Sequence, residues 1–449
     1  MTEVPGCTVP QELADMIINH LDDSQSLQQC SLVCKSWEAS STVHLFSRLS
    51  WPPCSVCWVR PAMRGVCDCP RHTLTFDDCH DFLLSSHRLR AVVAHLRITG
   101  IRGSSGLPEV EGHEPLPLTF LFTLPELLPG LQTLEIWDLR TGAGVMGPPP
   151  NLSANPGSLD KLILAGTVLW DDRAIFSILS AFSHIDHLVL ECYSSEEDLE
   201  EDIPLASQLH RRFPCTSVNR LEVLNPSYLT DVLCCLHEQL DVSALREVKV
   251  HLCLGKGLER LIASALSLEA LTFMTTESPP KLPNPAALRV LDMMCSIMAD
   301  DPEEQPDASQ FCKFGWGEMI HNLAALHAPE LRELTLGVML RELGYWAEDA
   351  GISQEVFAEA LARRLQEEDW GTFRAIMSAR PKLRKFKLKI VVNDGWTSFQ
   401  YMVPYLECSA RTFQDAVVSC LGRDIESILE VVAEHHYNTE EYMNYYRYP

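Results

Sequence analysis

One spacing governs what this chain can fold into. It is an apolar residue, two residues of any kind, a second apolar residue, one of any kind, and a third apolar residue. It occurs ten times between Val93 and Leu388, with its central position at Leu96, Leu134, Leu162, Leu188, Leu221, Val248, Leu271, Leu291, Leu334 and Phe386. The last two apolar positions alternate with one intervening residue, which is the period of a strand with one face turned inward. A short strand of this kind cannot bury its face alone. Many of them stacked side by side make a continuous core. The intervals between central positions are 38, 28, 26, 33, 27, 23, 20, 43 and 52 residues.

Most of those intervals lie near the roughly 20–29 residues of a leucine-rich repeat, with insertions in the longer ones. Helical stretches fall between the strands, at Asp171–Phe182, Leu229–His237 and Gln354–Leu365. Strand followed by helix, repeated, implies an α/β solenoid with parallel strands on its concave face and helices outside. No regular Asn follows the second apolar position, so the solenoid is irregular. The competing reading is an ordinary α/β fold with leucine-rich strands. Thr412–Tyr437 reads as one or two amphipathic helices sealing the end, and Tyr442–Pro449 as a loose tail.

Charge narrows the partners. The 449 residues hold 36 Lys and Arg against 61 Asp and Glu, a formal net charge of −25. A phosphate backbone needs a basic stripe, so nucleic acid is an unfavourable partner. An anionic membrane surface is unfavourable for the same reason. The acidic runs Ser194–Asp202 and Ala299–Asp307 read as solvated loops rather than as a site for a basic partner. The first twenty residues lack a basic stretch followed by an apolar one, and no run reaches the ~18 apolar residues of a membrane span. The expectation is an intracellular protein, cytoplasmic or nuclear or both, whose 17 cysteines are reduced thiols packed as small hydrophobes.

The N-terminus carries the most specific signal. Thr8 and Gln11 have the spacing of a capping box, with Pro10 in the first helical turn. Leu13, Met16, Ile17 and Leu21 then form an apolar stripe. Asp22-Asp-Ser24 ends that helix, and Leu27, Cys30, Cys34 and Trp37 recur as a second one. Leu45–Trp51 looks strand-like. Two or three short helices in so few residues bury too little surface to stand alone, so they need the rest of the chain or a partner.

The run Val9-Pro10-x-Glu12-Leu13, Ile17, Leu21, Leu27, Leu32-Val33-Cys34-Lys35-x-Trp37 resembles the F-box motif, which begins Leu-Pro-x-Glu-Leu and ends Val-Cys-x-x-Trp. Val9 replaces the usual leucine. The likeness covers roughly residues 5–50, and Cys79–His87 resembles the segment that follows the motif in many fungal members. The resemblance implies a substrate-recognition adaptor of an SCF-type (cullin–RING) ubiquitin ligase. Its F-box would dock on a Skp-family linker protein, and through it a cullin, by helix-in-groove contacts. Carried over by position, Val9, Pro10, Leu13, Ile17, Leu21, Leu27, Val33 and Trp37 would form that surface or its support. The organisation implied is an F-box at 1–50, a Cys-rich connection at 51–90, repeats at 91–395 and a helical cap and tail at 396–449. The alternative is a leucine-rich-repeat interaction scaffold whose N-terminal helices are only a cap, with no ligase link.

Chemistry-bearing motifs are few. Gly142-Ala-Gly144-Val-Met-Gly147 follows a strand and has dinucleotide-loop spacing, but Pro148-Pro-Pro150 forbids the helix that would hold a pyrophosphate. It reads as a loop. Cys54, Cys57, Cys67 and Cys69 are weak zinc candidates: the first pair has the spacing of a zinc knuckle and the second does not. Glu434-His-His436 reads as a solvated pair in a terminal helix. No H-E-x-x-H, G-x-S-x-G or phosphate-loop sequence occurs. The expectation is a non-enzyme without cofactor that captures a target protein on the strand face turned away from the core. Residues placed there by alternation include Trp137, Glu191, Leu224, His251, Met274, Met294 and Lys387. Trp137, Met274 and Met294 are the apolar members suited to anchor a partner.

Overall fold

The computed structural model describes residues 10–21, 24–51, 76–99, 118–137, 156–166, 175, 178–192, 216–224, 236, 240–250, 256–275, 282, 285–297, 316–341, 355, 359, 363, 369–393, 410–412, 414–422 and 427–435. The protein is an α/β chain with a long parallel sheet whose strand order follows the sequence. It divides into two compact units, residues 1–185 and 186–449.

The first unit opens with three helices, α1 (Gln11–Asn19), α2 (Ser24–Ser31) and α3 (Lys35–Phe46). Strand β1 (Arg48–Trp51) follows at once and pairs in parallel with β2 (His95–Thr99), so the helical segment leads straight into the sheet. Between them lie α4 (Phe76–Ser85) and the single turn α5 (His87–Arg90). Phe82 of α4 stacks on Trp51 at 5.9 Å, and Cys79 and Leu83 of the same helix are buried. Helix α6 (Leu118–Leu127) precedes β3 (Thr133–Trp137), and β4 (Gly157–Gly166) follows. In register, Leu96 faces Leu134, which faces Leu162; one step on, Ile98 faces Ile136, which faces Leu164. All six are buried. The division into units falls within β5 (Phe182–Cys192).

The second unit continues with β6 (Thr216–Leu224), the two-residue β7 (Leu240–Asp241) beside it, β8 (Glu247–Val250), α7 (Lys256–Ser264), β9 (Ala270–Thr275) and β10 (Val290–Ile297). Helix α8 (Trp316–Ala325), β11 (Glu333–Arg341), α9 (Trp370–Ser378), β12 (Lys385–Asn393) and β13 (Leu429–His435) complete it. Leu221, Val248, Leu271, Leu291, Leu334 and Phe386 stand opposite one another strand by strand. Each of the ten spaced motifs therefore sits on its own strand, and these registers match central position to central position.

A shared turn explains why register holds across insertions of different length. The backbone N–H of the first apolar residue donates three residues back in Leu131→Leu128, Leu245→Val242, Leu268→Ala265, Leu288→Pro285, Leu331→Ala328 and Leu383→Arg380. Three of these turns carry proline at their second position, Pro129, Pro329 and Pro381, where its fixed φ suits the geometry. The carbonyl two residues before the central position then accepts two N–H groups from the next strand. Ala94 takes those of Gln132 and Thr133, and Arg332 takes those of Arg384 and Lys385. In these six repeats the turn fixes where the strand begins, whatever length of chain precedes it.

Four expectations need correction. Pro10 is itself the residue before α1 and no side-chain cap forms; the Gln11 amide bonds Asp15 and Ser40 instead. The second N-terminal helix is two, because Cys34 is fully extended and interrupts the helical hydrogen bonds between α2 and α3. Leu45 and Phe46 end α3, and only Arg48–Trp51 is strand. The C-terminal segment is not helical throughout. Gly422 adopts φ +88° at the end of the helical residues 414–421, a left-handed stop that glycine allows. After it Leu429–His435, including Glu434 and His435, pair with β12 as a strand. The glycine loop at 142–147, the acidic loops, the cysteines at 54, 57, 67 and 69, and the tail lie outside the described residues.

Candidate functional site

Helix α1 is amphipathic in an unusual sense. Its inner face is small: Ala14 and Ile18, four residues apart, are the two positions it buries, and Asp15 accepts hydrogen bonds from Ser40 of α3 (2.5 Å) and from Gln11 (2.7 Å). Those bonds hold the Asp15 carboxyl below its ordinary value, Ser40 contributing most. Its outer face is the apolar stripe. Leu13, Met16 and Ile17 are 49%, 57% and 46% exposed. A surface helix ordinarily turns such a stripe to the core.

The turn between α2 and α3 adds a second apolar point, with Leu32 85% and Val33 62% exposed. The extended Cys34 lifts these residues off both helices. Its own thiol is exposed, 3.2 Å from the Ser36 hydroxyl, and that hydrogen bond lowers its pKa. By contrast, burial pushes the Cys79 thiol up to about 12. Of the other residues carried over from the motif, Pro10 is exposed, Leu21 and Trp37 are half-buried, and Leu27 is buried and can only support the surface. Val9 lies outside the described residues. Met16 and Leu32 were not among the residues assigned to the surface, although both belong to the stripe and motif that pointed to it.

The strand face turned away from the core is polar in each unit. In the first, Glu135 accepts from Trp137 Nε1 (3.0 Å), pairs with His95 Nε2 (3.0 Å) and lies 3.6 Å from Arg97 Nε. Arg97 stacks over the Trp137 ring at 4.5 Å. Burial would raise the Glu135 pKa, but His95, Arg97 and Trp137 together outweigh it and hold the group ionised. Trp137 is thus half-buried within a charged network rather than a free apolar anchor. In the second unit, Glu222 bridges Lys249 (2.5 Å) and His187 (3.4 Å). Leu224 and Lys387 are half-exposed on this face.

Three residues expected to be open there are not. Met274 and Met294 are only 5% and 8% exposed and cluster with the fully buried Val391. Met294 lies across Gly337 of the next strand, where a Cβ would come within 2.6 Å of its Cγ. Glu191 is also buried, at 9%. Flexible methionines filling an irregular gap over a glycine account for the first two. His251 lies outside the described residues. Among the described residues no group of His, Cys, Asp and Glu could hold a metal, and no helix is long and apolar enough to cross a membrane. Neither family models nor curated proteins offer a relative for this chain: no family model matches it, and no curated protein does.

Proposed function

We propose that this protein is a substrate-recognition adaptor of an SCF-type ubiquitin ligase. It docks on a Skp-family linker, and through it a cullin, by its N-terminal helices, and it holds a target protein with a leucine-rich-repeat solenoid formed by the rest of the chain. The observation that carries the reading is the outward apolar face of Leu13, Met16, Ile17, Leu32 and Val33. Helices serving only as a cap would turn these side chains onto the sheet. Helices built for a partner's groove leave them in water, and Met16 and Ile17 stand three and four residues from Leu13 on one helix face. The in-register strands and their repeated turn support the solenoid part of the reading. The contribution of such a chain to ubiquitin transfer is proximity, with no bond chemistry from its own side chains.

Co-purification with a Skp-family linker tests this. Wild type is compared with the double substitution Pro10→Ala, Leu13→Asp. Both residues are exposed, so circular dichroism should be unchanged. The expected result is capture by wild type and loss in the variant. Well-folded wild type that captures no linker overturns the proposal and leaves a repeat scaffold with a helical cap.

A further inference from the structure

In the second unit, the repeats from β8 to β12 place one sequence position of each strand in a row along the rim where those strands begin. It is the residue two before the central apolar position, whose carbonyl receives the next strand. In the first unit the same sequence position holds Ala94, Gln132 and Asp160. From β8 to β12 it reads Arg246, Glu269, Arg289, Arg332 and Arg384, linked carbonyl to N–H from each strand to the next. Neighbouring strands stand about 4.8 Å apart, so these five positions span roughly 19 Å. All four arginines are exposed. Arg289 is paired with Glu269 at 2.9 Å. Arg246, Arg332 and Arg384 have no ion pair within 4.0 Å among the described residues. Lys382 and Lys385 flank the row and are paired with Glu330 (2.5 Å) and Glu430 (2.9 Å). Glu247 and Glu333, one position further on, and Glu330, whose carboxyl Lys382, Arg332 and Arg289 hold low, temper the row.

Four arginines and one acid on five adjacent strands are out of keeping with a chain of net charge −25. The geometry points to this row as the capture site for an extended acidic peptide segment, bearing carboxylates or phosphates, on the target. Arginine offers a planar fork that matches either group. A short segment senses charge over about the 8 Å Debye length of physiological salt, so the row governs it. A long polyanion would extend past the row and lie against the acidic remainder of the chain, which sets nucleic acid aside. That the bound segment belongs to a ubiquitination target rests on the adaptor reading; the binding itself does not.

The test is fluorescence anisotropy with full-length protein and three labelled eight-residue peptides. One alternates Glu with Ser, one alternates phosphoserine with Ser, and one alternates Lys with Ser. The variants are Arg332→Glu/Arg384→Glu and, as control in the first unit, the exposed Arg88→Glu. The expected result is salt-sensitive binding of one or both acidic peptides, which tells carboxylate from phosphate capture. Binding should weaken about tenfold or more in the double variant and stay unchanged in the control. The inference is overturned if wild type binds neither acidic peptide, if the Lys peptide binds as well, or if the control loses as much as the double variant. Linker capture is measured separately, so either part can fail without the other.

Discussion

At the scale of single residues, the clearest structural debt is at Arg380. It follows α9, is 9% exposed, and burial lowers its pKa. Its Nη1 donates to Ile376 O (2.9 Å), and its Nη2 donates to Leu323 O (2.7 Å) and Leu326 O (3.0 Å). These carbonyls lie at or just past the C-terminal ends of α9 and α8, where helix carbonyls run out of N–H partners; Leu323 O also accepts from the Leu326 N–H (3.3 Å). One guanidinium therefore ties two helix ends together, where a positive charge also meets the negative ends of the helix dipoles. Arg380→Ala removes all three charged hydrogen bonds and leaves buried acceptors. We expect it to lower stability by about 3 kcal/mol in urea unfolding. Arg384→Ala, four residues away and exposed, should change it by less than about 0.5 kcal/mol.

At the scale of elements, β10 and β11 fit because a side chain is missing. Gly337 stands opposite Met294 in the register, and a Cβ there would meet Met294 Cγ at 2.6 Å and Sδ at 3.0 Å. Gly337→Ala should destabilise by about 1–3 kcal/mol. Adding Met294→Ala removes the clashing atoms, so the double variant should cost less than the sum of the two single ones in the same urea titration. This contact was not legible beforehand. Alternation put Met294 on the outer strand face correctly, but it could not show that a glycine on the neighbouring strand lets the thioether lie down and become buried. The strands themselves were legible, because Leu96, Leu134, Leu291 and Leu334 each belong to a repeated spacing that suits a strand with one face turned inward. The helix breaks were less so. The extended Cys34 and the left-handed Gly422 are decisions of one residue's backbone, and they split stretches whose apolar period ran on unbroken. Strand β13 was misread for the same reason, since Leu429, Val431 and Val432 also suit a helical period and only pairing with β12 selects the strand. For the site, the apolar stripe of α1 was legible as a stripe, whereas its outward direction was not. That direction depends on Ala14, Ile18 and the Asp15–Ser40 bond taking the inner side.

At the scale of the whole molecule, a net charge of −25 makes the folded chain repel itself. Raising ionic strength from about 0.01 M to 0.15 M shortens the Debye length from roughly 30 Å to 8 Å and screens that repulsion. The local pairs at Glu222–Lys249 and Glu135–His95 are partly buried and are screened less. The melting temperature should therefore rise with sodium chloride over this range, as read by differential scanning calorimetry. A fall would mean that surface ion pairs dominate the electrostatic balance.

The outward stripe of α1 has a consequence for the life of the chain before it meets anything. A protein that keeps Leu13, Met16, Ile17, Leu32 and Val33 in water is poised for any apolar surface that passes, including a misfolded neighbour or another molecule of itself. On the proposed adaptor reading, its supply is matched to that of the linker that covers the stripe. Chains whose stripe stays uncovered should self-associate as their concentration rises.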